Sequence, residues 1–337
     1  MSDLIRYSRQ MLFSPIGEKG QKKISSSSVL IVGMGALGTA LANHLVRAGV
    51  GFIRLVDRDY VEKSNLQRQM LFDEDDVAAA LPKAIAAENK LKKINSSIEI
   101  EAHVADASVH NINELLEGID IVVDGTDNFQ TRFLLNDACY KQGIPFVYGG
   151  AVSARGMSAI FIPEKTPCLR CFISSTDQGG QTCDTIGVIS PIVDIVASYQ
   201  VTEVLKYLVG DANVRKSILT LDIWNNYRYE LKFSSPREEC PTCQKKEYPA
   251  LRIAETELMT VLCGRETVQI QSQQRFDLSI WAERLDQVGK VQKTPFLLKV
   301  ELPEGERFVL FPDGRTLVQG TEDMVRAKTL YSRYIGL

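Results

Sequence analysis

The sequence predicts an α/β fold, a Rossmann-like, doubly wound and mainly parallel sheet. Two observations predict it. Continuous apolar runs alternate with segments of helical spacing from residue 28 to residue 148, the pattern of strands buried on both faces and joined by crossover helices. A glycine-rich turn, Gly33-Met34-Gly35-Ala36-Leu37-Gly38, stands between the first run and the first helix, where such a fold holds phosphate. A third observation extends the prediction. Two Cys-x-x-Cys pairs, Cys168 with Cys171 and Cys240 with Cys243, follow the alternating region. Two such pairs supply the four thiolates of a closed, structural zinc site. Beyond about residue 250 the texture changes, and the remainder reads as a small α+β appendage.

The elements follow in order. Residues 28–32 (Ser-Val-Leu-Ile-Val) form the first strand, 39–48 a helix and 52–56 the second strand. Pro82 suits a first helical turn, and that helix runs to about Lys93. Residues 98–104 alternate as a strand, 119–123 form another, 129–142 a helix and 145–148 a strand. Residues 173–186 are rich in Ser, Thr, Gly and Gln and read as a loop. Ser190-Pro191 caps a long buried helix to about Val209, and strands follow at 216–222 and 227–233. In the appendage the sequence predicts a strand at 268–271, a helix over 278–288, a hairpin over 308–318 on an Asp-Gly turn, and a last helix over 322–335. The division expected is 1–250 for the main domain and 251–337 for the appendage.

Composition narrows the function classes. The chain has 337 residues, 39 basic and 42 acidic, and 45% are hydrophobic. A net charge of −3 offers no global attraction to nucleic acid. Residues 1–6 lack an apolar run, and the greasy stretch from Gly187 to Gly210 is broken by Asp194, Glu203 and Lys206. No membrane association is expected, and the cysteine usage suggests a reducing, cytoplasmic setting.

The glycine turn assigns distinct work to each glycine. Gly33 makes the tight turn, Gly35 lets the backbone approach phosphate, and Gly38 lets the helix pack close to the strand. Asp57 ends the second strand, where an acid accepts ribose hydroxyls, and Asp59 follows it. A nicotinamide enzyme has no need of further cations here, because its pyrophosphate is not cleaved. This chain has two, Arg68 within Ser64-Asn65-Leu66-Gln67-Arg68-Gln69, and Lys83. Lys83 sits in a first helical turn, where the dipole disfavours a cation by about 0.3–1 kcal/mol. Either a nearby anion offsets that, or the lysine is exposed and bears a small penalty. The pattern suggests phosphate charge being managed during nucleotidyl transfer.

Thr126-Asp127-Asn128 follows a buried strand and precedes a helix. Asp127 is either the helix N-cap or a magnesium ligand at the carboxyl end of the sheet. The alternative reading of the cysteine pairs is a redox dithiol. Cys183 stands apart in a polar stretch, either a nucleophile of lowered pKa near a helix start or a spectator. Cys139 and Cys263 carry no such signal. Cys263-Gly264-Arg265-Glu266 has the look of a rhodanese-type loop, but too little chain remains for that domain.

Together these motifs resemble the ThiF/MoeB family of ubiquitin-activating-like adenylyltransferases. The matching pieces are Arg6-Tyr7-Ser8-Arg9-Gln10, the glycine turn, Asp57-Arg58-Asp59, Ser64 to Gln69, Pro82-Lys83, Thr126-Asp127-Asn128, both cysteine pairs and Cys183, over roughly residues 5–245. The resemblance implies Gly35, Asp57, Asn65, Arg68 and Lys83 around ATP, Asp127 on Mg2+ with Asn128 beside it, and the four cysteines on Zn2+. It implies Arg9 reaching the partner's site in a homodimer. It further implies a ubiquitin-like sulfur-carrier protein ending in Gly-Gly as substrate, and a cysteine desulfurase as a further partner, in thiamine-thiazole or molybdenum-cofactor synthesis. In the thiamine branch the cysteine matching Cys183 is implicated in covalent linkage to the carrier. The rival readings are an NAD-dependent oxidoreductase on the same fold and a non-catalytic, zinc-stapled carrier-binding protein.

Overall fold

The computed structural model describes residues 3–173, 186–252, 259–262, 266–272 and 274–336. The chain divides into two compact units, Met1–Arg252 and Ile253–Leu337.

The first unit is built on eight strands, β1 (Ser28–Val32), β2 (Phe52–Asp57), β3 (Glu99–Val104), β4 (Ile121–Asp124), β5 (Phe146–Val152), β6 (Arg155–Phe161), β7 (Ser217–Asp222) and β8 (Tyr227–Lys232). They lie in the order β3-β2-β1-β4-β5-β6-β7-β8. The first five are parallel and the last three antiparallel, so the sheet is mostly parallel. The helices are α1 (Ser8–Met11), α2 (Gly17–Ser25), α3 (Ala36–Ala48), α4 (Glu74–Ala78), α5 (Lys83–Ile94), α6 (Ile112–Leu115), α7 (Phe129–Gln142) and α8 (Ser190–Val209).

The continuous apolar run of β1 has a simple cause, because both of its faces are covered. Val29 and Ile31 pack with Leu41 and Leu45 of α3 and with Val196 of α8. Leu30 and Val32 pack on the other face with Phe133 and Leu135 of α7. The 155–161 strand and the helices before residue 28 have no counterpart in the sequence reading. Ser190 is the first residue of α8 rather than its cap: Ile189 is the N-cap, without a side-chain bond, and Pro191 sits in the first turn.

The second unit has strands β9 (Met259–Leu262), β10 (Thr267–Gln271), β11 (Lys290–Lys293), β12 (Leu298–Glu301), β13 (Arg307–Leu310) and β14 (Arg315–Gln319). Its described residues also form helices α9 (Leu278–Leu285) and α10 (Met324–Tyr334). Its antiparallel sheet has the order β11-β12-β13-β14-β10-β9. Gly314 takes φ +91° at the β13–β14 turn. The unit has its own core of Val268, Leu298, Phe308 and Leu330. Among the described residues no helix is long and apolar enough to cross a membrane.

Candidate active site and cysteine cluster

Strand β1 has β2 on one side and β4 on the other, so crossovers leave it in opposite directions and a crevice opens at the carboxyl ends of these strands. The glycine turn follows β1 and borders this crevice. Gly33 has φ +90°, and a Cβ there would lie 2.8 Å from the Gly125 carbonyl. A Cβ on Gly38 would lie 1.8 Å from the Gly33 oxygen, and one on Gly125 2.4 Å from that same oxygen. The three backbones therefore touch, and only glycine fits at each. Gly125 went unread in the sequence, although a glycine directly after a buried strand is a signal of close backbone approach. Gly35 is different. It is the N-cap of α3, with no side-chain cap bond, and the first-turn N–H groups have no partner within the helix. Among the described residues, a Cβ on Gly35 would meet only the Gln69 Nε2 within 4 Å, at 3.9 Å.

Asp57 closes β2 and faces this turn. Its Oδ2 accepts the Met34 N–H at 2.6 Å and its Oδ1 accepts the Asp59 N–H at 2.7 Å. Burial pushes its carboxyl up, the Lys83 charge opposes that, and the Asp59 charge adds to it. Lys83 begins α5 and its side chain is only 5% exposed, with Nζ 3.4 Å from Asp59 Oδ2. Its backbone N–H donates to the Asp59 carbonyl at 2.9 Å. A buried cation at a helix start is thus offset by an acid, and the exposed-lysine reading does not hold.

The other expected residues are placed less uniformly. Asn65 is buried, and its Oδ1 accepts the Glu62 N–H at 3.1 Å in a capping box. Arg68 is half-buried and donates from Nη1 to the Ser64 carbonyl at 2.9 Å. Asp127 is exposed just beyond β4. It does not cap α7: that role belongs to Asn128, whose Oδ1 accepts the Thr131 N–H at 2.9 Å. Arg9 is exposed on α1, and its side chain makes no hydrogen bond to another described residue. Cys183 and Cys263 lie outside the described residues.

Helix α7 carries buried polar anchors that the sequence reading missed, Arg132, Asn136 and Asp137. Arg132 Nε donates to Asp124 Oδ2 at 2.9 Å, and its Nη2 to the carbonyls of Thr126 and Gly149 at 2.7 and 2.9 Å. It therefore holds the loop leading to Asp127 against β5. Burial pushes the Asp124 carboxyl up, against the Arg132 charge. Farther along, Asp137 accepts Arg170 Nε at 2.8 Å, Thr242 Oγ1 at 2.6 Å and the Ala250 N–H at 2.9 Å.

Arg170 and Thr242 each lie inside one of the two cysteine pairs, so one carboxylate grips both knuckles. The four sulfurs converge, within 4.8 Å of one another, with Cys168–Cys240 at 3.5 Å and Cys171–Cys243 at 3.4 Å. Such a donor set fits a tetrahedral, thiolate-ligated metal ion.

A cavity of about 270 Å³ lies along the same carboxyl edge, where β5 and β7 end, lined by Ser153, Arg155, Asp222 and Trp224 among others. Trp224 is 77% exposed.

Comparison with known proteins places this architecture. Residues 7–242 match the ThiF family model. The chain is 47% identical over 335 residues to the sulfur carrier protein ThiS adenylyltransferase of Bacillus subtilis (strain 168), covering 98% of this chain and 99% of that one. It is 35% identical over 244 residues to the SAMP-activating enzyme E1 of Haloferax volcanii, covering 72% of this chain and 89% of that one. Among solved structures, E. coli MccB with MccA-N7isoAsn superposes with a TM-score of 0.63 at 23% identity, over 71% and 74% of the two chains, which is a likeness of fold. The chain belongs to the ThiF family.

Proposed function

We propose that this protein is an adenylyltransferase that joins AMP from ATP to the C-terminal glycine carboxylate of a ubiquitin-like sulfur carrier ending in Gly-Gly. Pyrophosphate leaves, and a sulfur nucleophile then attacks the acyl carbon of the adenylate and displaces AMP. The observation that carries the reading is the convergence at one switch point of an open helix start over Gly35, the Asp57–Asp59–Lys83 group and the exposed Asp127. The relatives' names support carrier activation.

A carboxylate is a weak nucleophile toward phosphorus, so alignment and neutralisation of the leaving pyrophosphate decide the rate. In this reading Lys83 and Arg68 hold phosphate oxygens, and Asp57, Asp59 and Asn65 shape the nucleotide pocket. Asp127 fits a magnesium site of the usual kind, one carboxylate completed by substrate phosphates, and Asn128 fixes the loop that carries it. When bound, that ion supplies charge neutralisation on the phosphates. Arg9 reaches the site of the second subunit of a homodimer. Residues 1–250 hold the adenylation machinery, and Cys168, Cys171, Cys240 and Cys243 hold Zn2+ as a closed structural link. The carrier tail enters along the cavity beside Arg155 and Trp224, where a Gly-Gly end passes without bulk.

The thiamine branch is the favoured one, since the relative matched over nearly the whole chain, second unit included, is named for ThiS. Cys183 then acts in the second step, with a cysteine desulfurase as sulfur source, and the setting is cytoplasmic. ATP–pyrophosphate exchange with a panel of thiamine-type and molybdopterin-type carriers tests the proposal. Exchange that depends on the thiamine-type carrier is expected. Absence of exchange with every carrier would refute the adenylation reading, and exchange with molybdopterin-type carriers alone would reassign the branch.

A further inference from the structure

Three glutamines are buried among the described residues, Gln21, Gln69 and Gln200. Gln21 is fully engaged: its Oε1 accepts from Gln10 at 2.6 Å and its Nε2 donates to the Ala48 carbonyl at 3.0 Å. Gln200 donates from Nε2 to the Asp124 carbonyl at 2.9 Å, although its Oε1, like that of Gln69, is buried without a partner. Gln69 is 3% exposed, its Oε1 is fully buried without a partner, and its side chain makes no hydrogen bond to any described residue. Its backbone, by contrast, is tied down. Its N–H donates to the Asn65 carbonyl at 3.0 Å, and its carbonyl accepts the Phe72 N–H at 3.1 Å. A rigid turn therefore presents an unsatisfied carboxamide in a dry position, which costs stability in the free protein.

The other end of the carboxamide faces the glycine turn. Its Nε2 is the atom that borders the open space over Gly35, 3.9 Å from where a Cβ would stand. That space is the N-terminal end of the 13-residue α3, whose first N–H groups have no side-chain cap and favour an anion. We infer that the Gln69 carboxamide is a direct ligand of the nucleotide, donating from Nε2 to a phosphate oxygen seated over Gly35 at the start of α3. This rests on the ATP-binding reading above and adds a contact that the sequence did not suggest. The Nε2 donor makes no hydrogen bond to a described residue in the free protein and gains an acceptor when the phosphate arrives, while Oε1 stays on the buried side.

The test uses the full-length chain with Gln69→Leu, which keeps the volume and removes the polar atoms, and Gln69→Glu, which turns the contact into a charge repulsion. Calorimetry measures the affinity for a methylene analogue of ATP and for adenosine, which lacks the phosphates. Thermal unfolding without nucleotide reports on packing. The expected result is a ratio of analogue to adenosine affinity about tenfold lower in Gln69→Leu and lower still in Gln69→Glu. The melting temperature of Gln69→Leu should be unchanged or higher, because an unsatisfied buried group has gone. A ratio unchanged in both variants overturns the inference, and a fall in melting temperature with that unchanged ratio would identify Gln69 as a packing residue. Wild-type protein that binds no analogue would instead refute the ATP-binding reading on which the inference stands.

Discussion

Lys83 shows how much chemistry one side chain reports. Its position at the first turn of α5 is unfavourable for a cation, its burial makes the charge costlier, and only Asp59 faces it at a short distance in the ion pairs described. In the proposed reading, this buried cation, offset by Asp59 in the free protein, meets a phosphate during turnover. Asp127 is the complementary case, an acid left exposed at the end of β4 because Asn128 took the cap. Lys83→Ala and Asp127→Ala are expected to lower ATP–pyrophosphate exchange by about 100-fold or more, on the order of 3 kcal/mol of transition-state stabilisation. Cys183→Ala is expected to leave exchange nearly unchanged, and mass spectrometry of the wild type with its carrier should find an adduct that depends on Cys183. Loss of exchange in folded Cys183→Ala protein would move the thiol into the first step.

At the scale of elements, α7 is a strut. Its N-terminal end positions Asp127 through Asn128 and Arg132, and its other end holds both cysteine knuckles through Asp137. Zinc is expected at one ion per chain by elemental analysis. Its removal by chelator, or Cys240→Ser, should lower the melting temperature. Asp137→Ala should speed zinc release, measured with a chromogenic chelator, because both knuckles lose their common anchor. Unchanged release would separate Asp137 from the metal site.

Helix α4 offers a pH test. Asp73 caps it, accepting the Asp75 and Asp76 N–H groups, and Lys90 holds its carboxyl below the usual range by a side-chain hydrogen bond. An acid with a depressed pKa in the folded state contributes stability that is complete above its unfolded value near 4, and that is lost as pH falls through the folded value. Wild-type protein should therefore lose stability on acidification below about pH 4 more steeply than Asp73→Asn, as followed by urea denaturation at each pH. Equal slopes would show that the cap does not titrate in this range.

At the scale of the whole molecule, the proposed homodimer makes a prediction that no single chain can satisfy. The motivation is Arg9, exposed on α1 and without a polar partner among the described residues. Arg9→Ala and Lys83→Ala proteins are each expected to be inactive, and a verified heterodimer of the two should regain partial exchange. One of its two sites then has both residues intact. No rescue would show that Arg9 acts within its own chain or not at all.

The sequence alone determined the order of the five parallel strands from residue 28 to residue 148 and of helices α3, α5 and α7 among them, the glycine turn, the acid at the end of β2 and the four cysteines. Each of these rests on local periodicity or on spacing within a few residues. Tertiary structure alone decided the rest. That Gly125 must be glycine depends on two backbones 87 or more residues away meeting it. Arg132 and Asp137 look like ordinary helix-surface polar residues until β5 and the knuckles close over them. Asp127 and Asn128 compete for one cap, and only the backbone geometry chose between them. Gln69 stands in the motif, but its unsatisfied amide exists only because folding excludes water from it. Contacts between distant segments and the removal of solvent are properties of the assembled chain, which no window of residues contains.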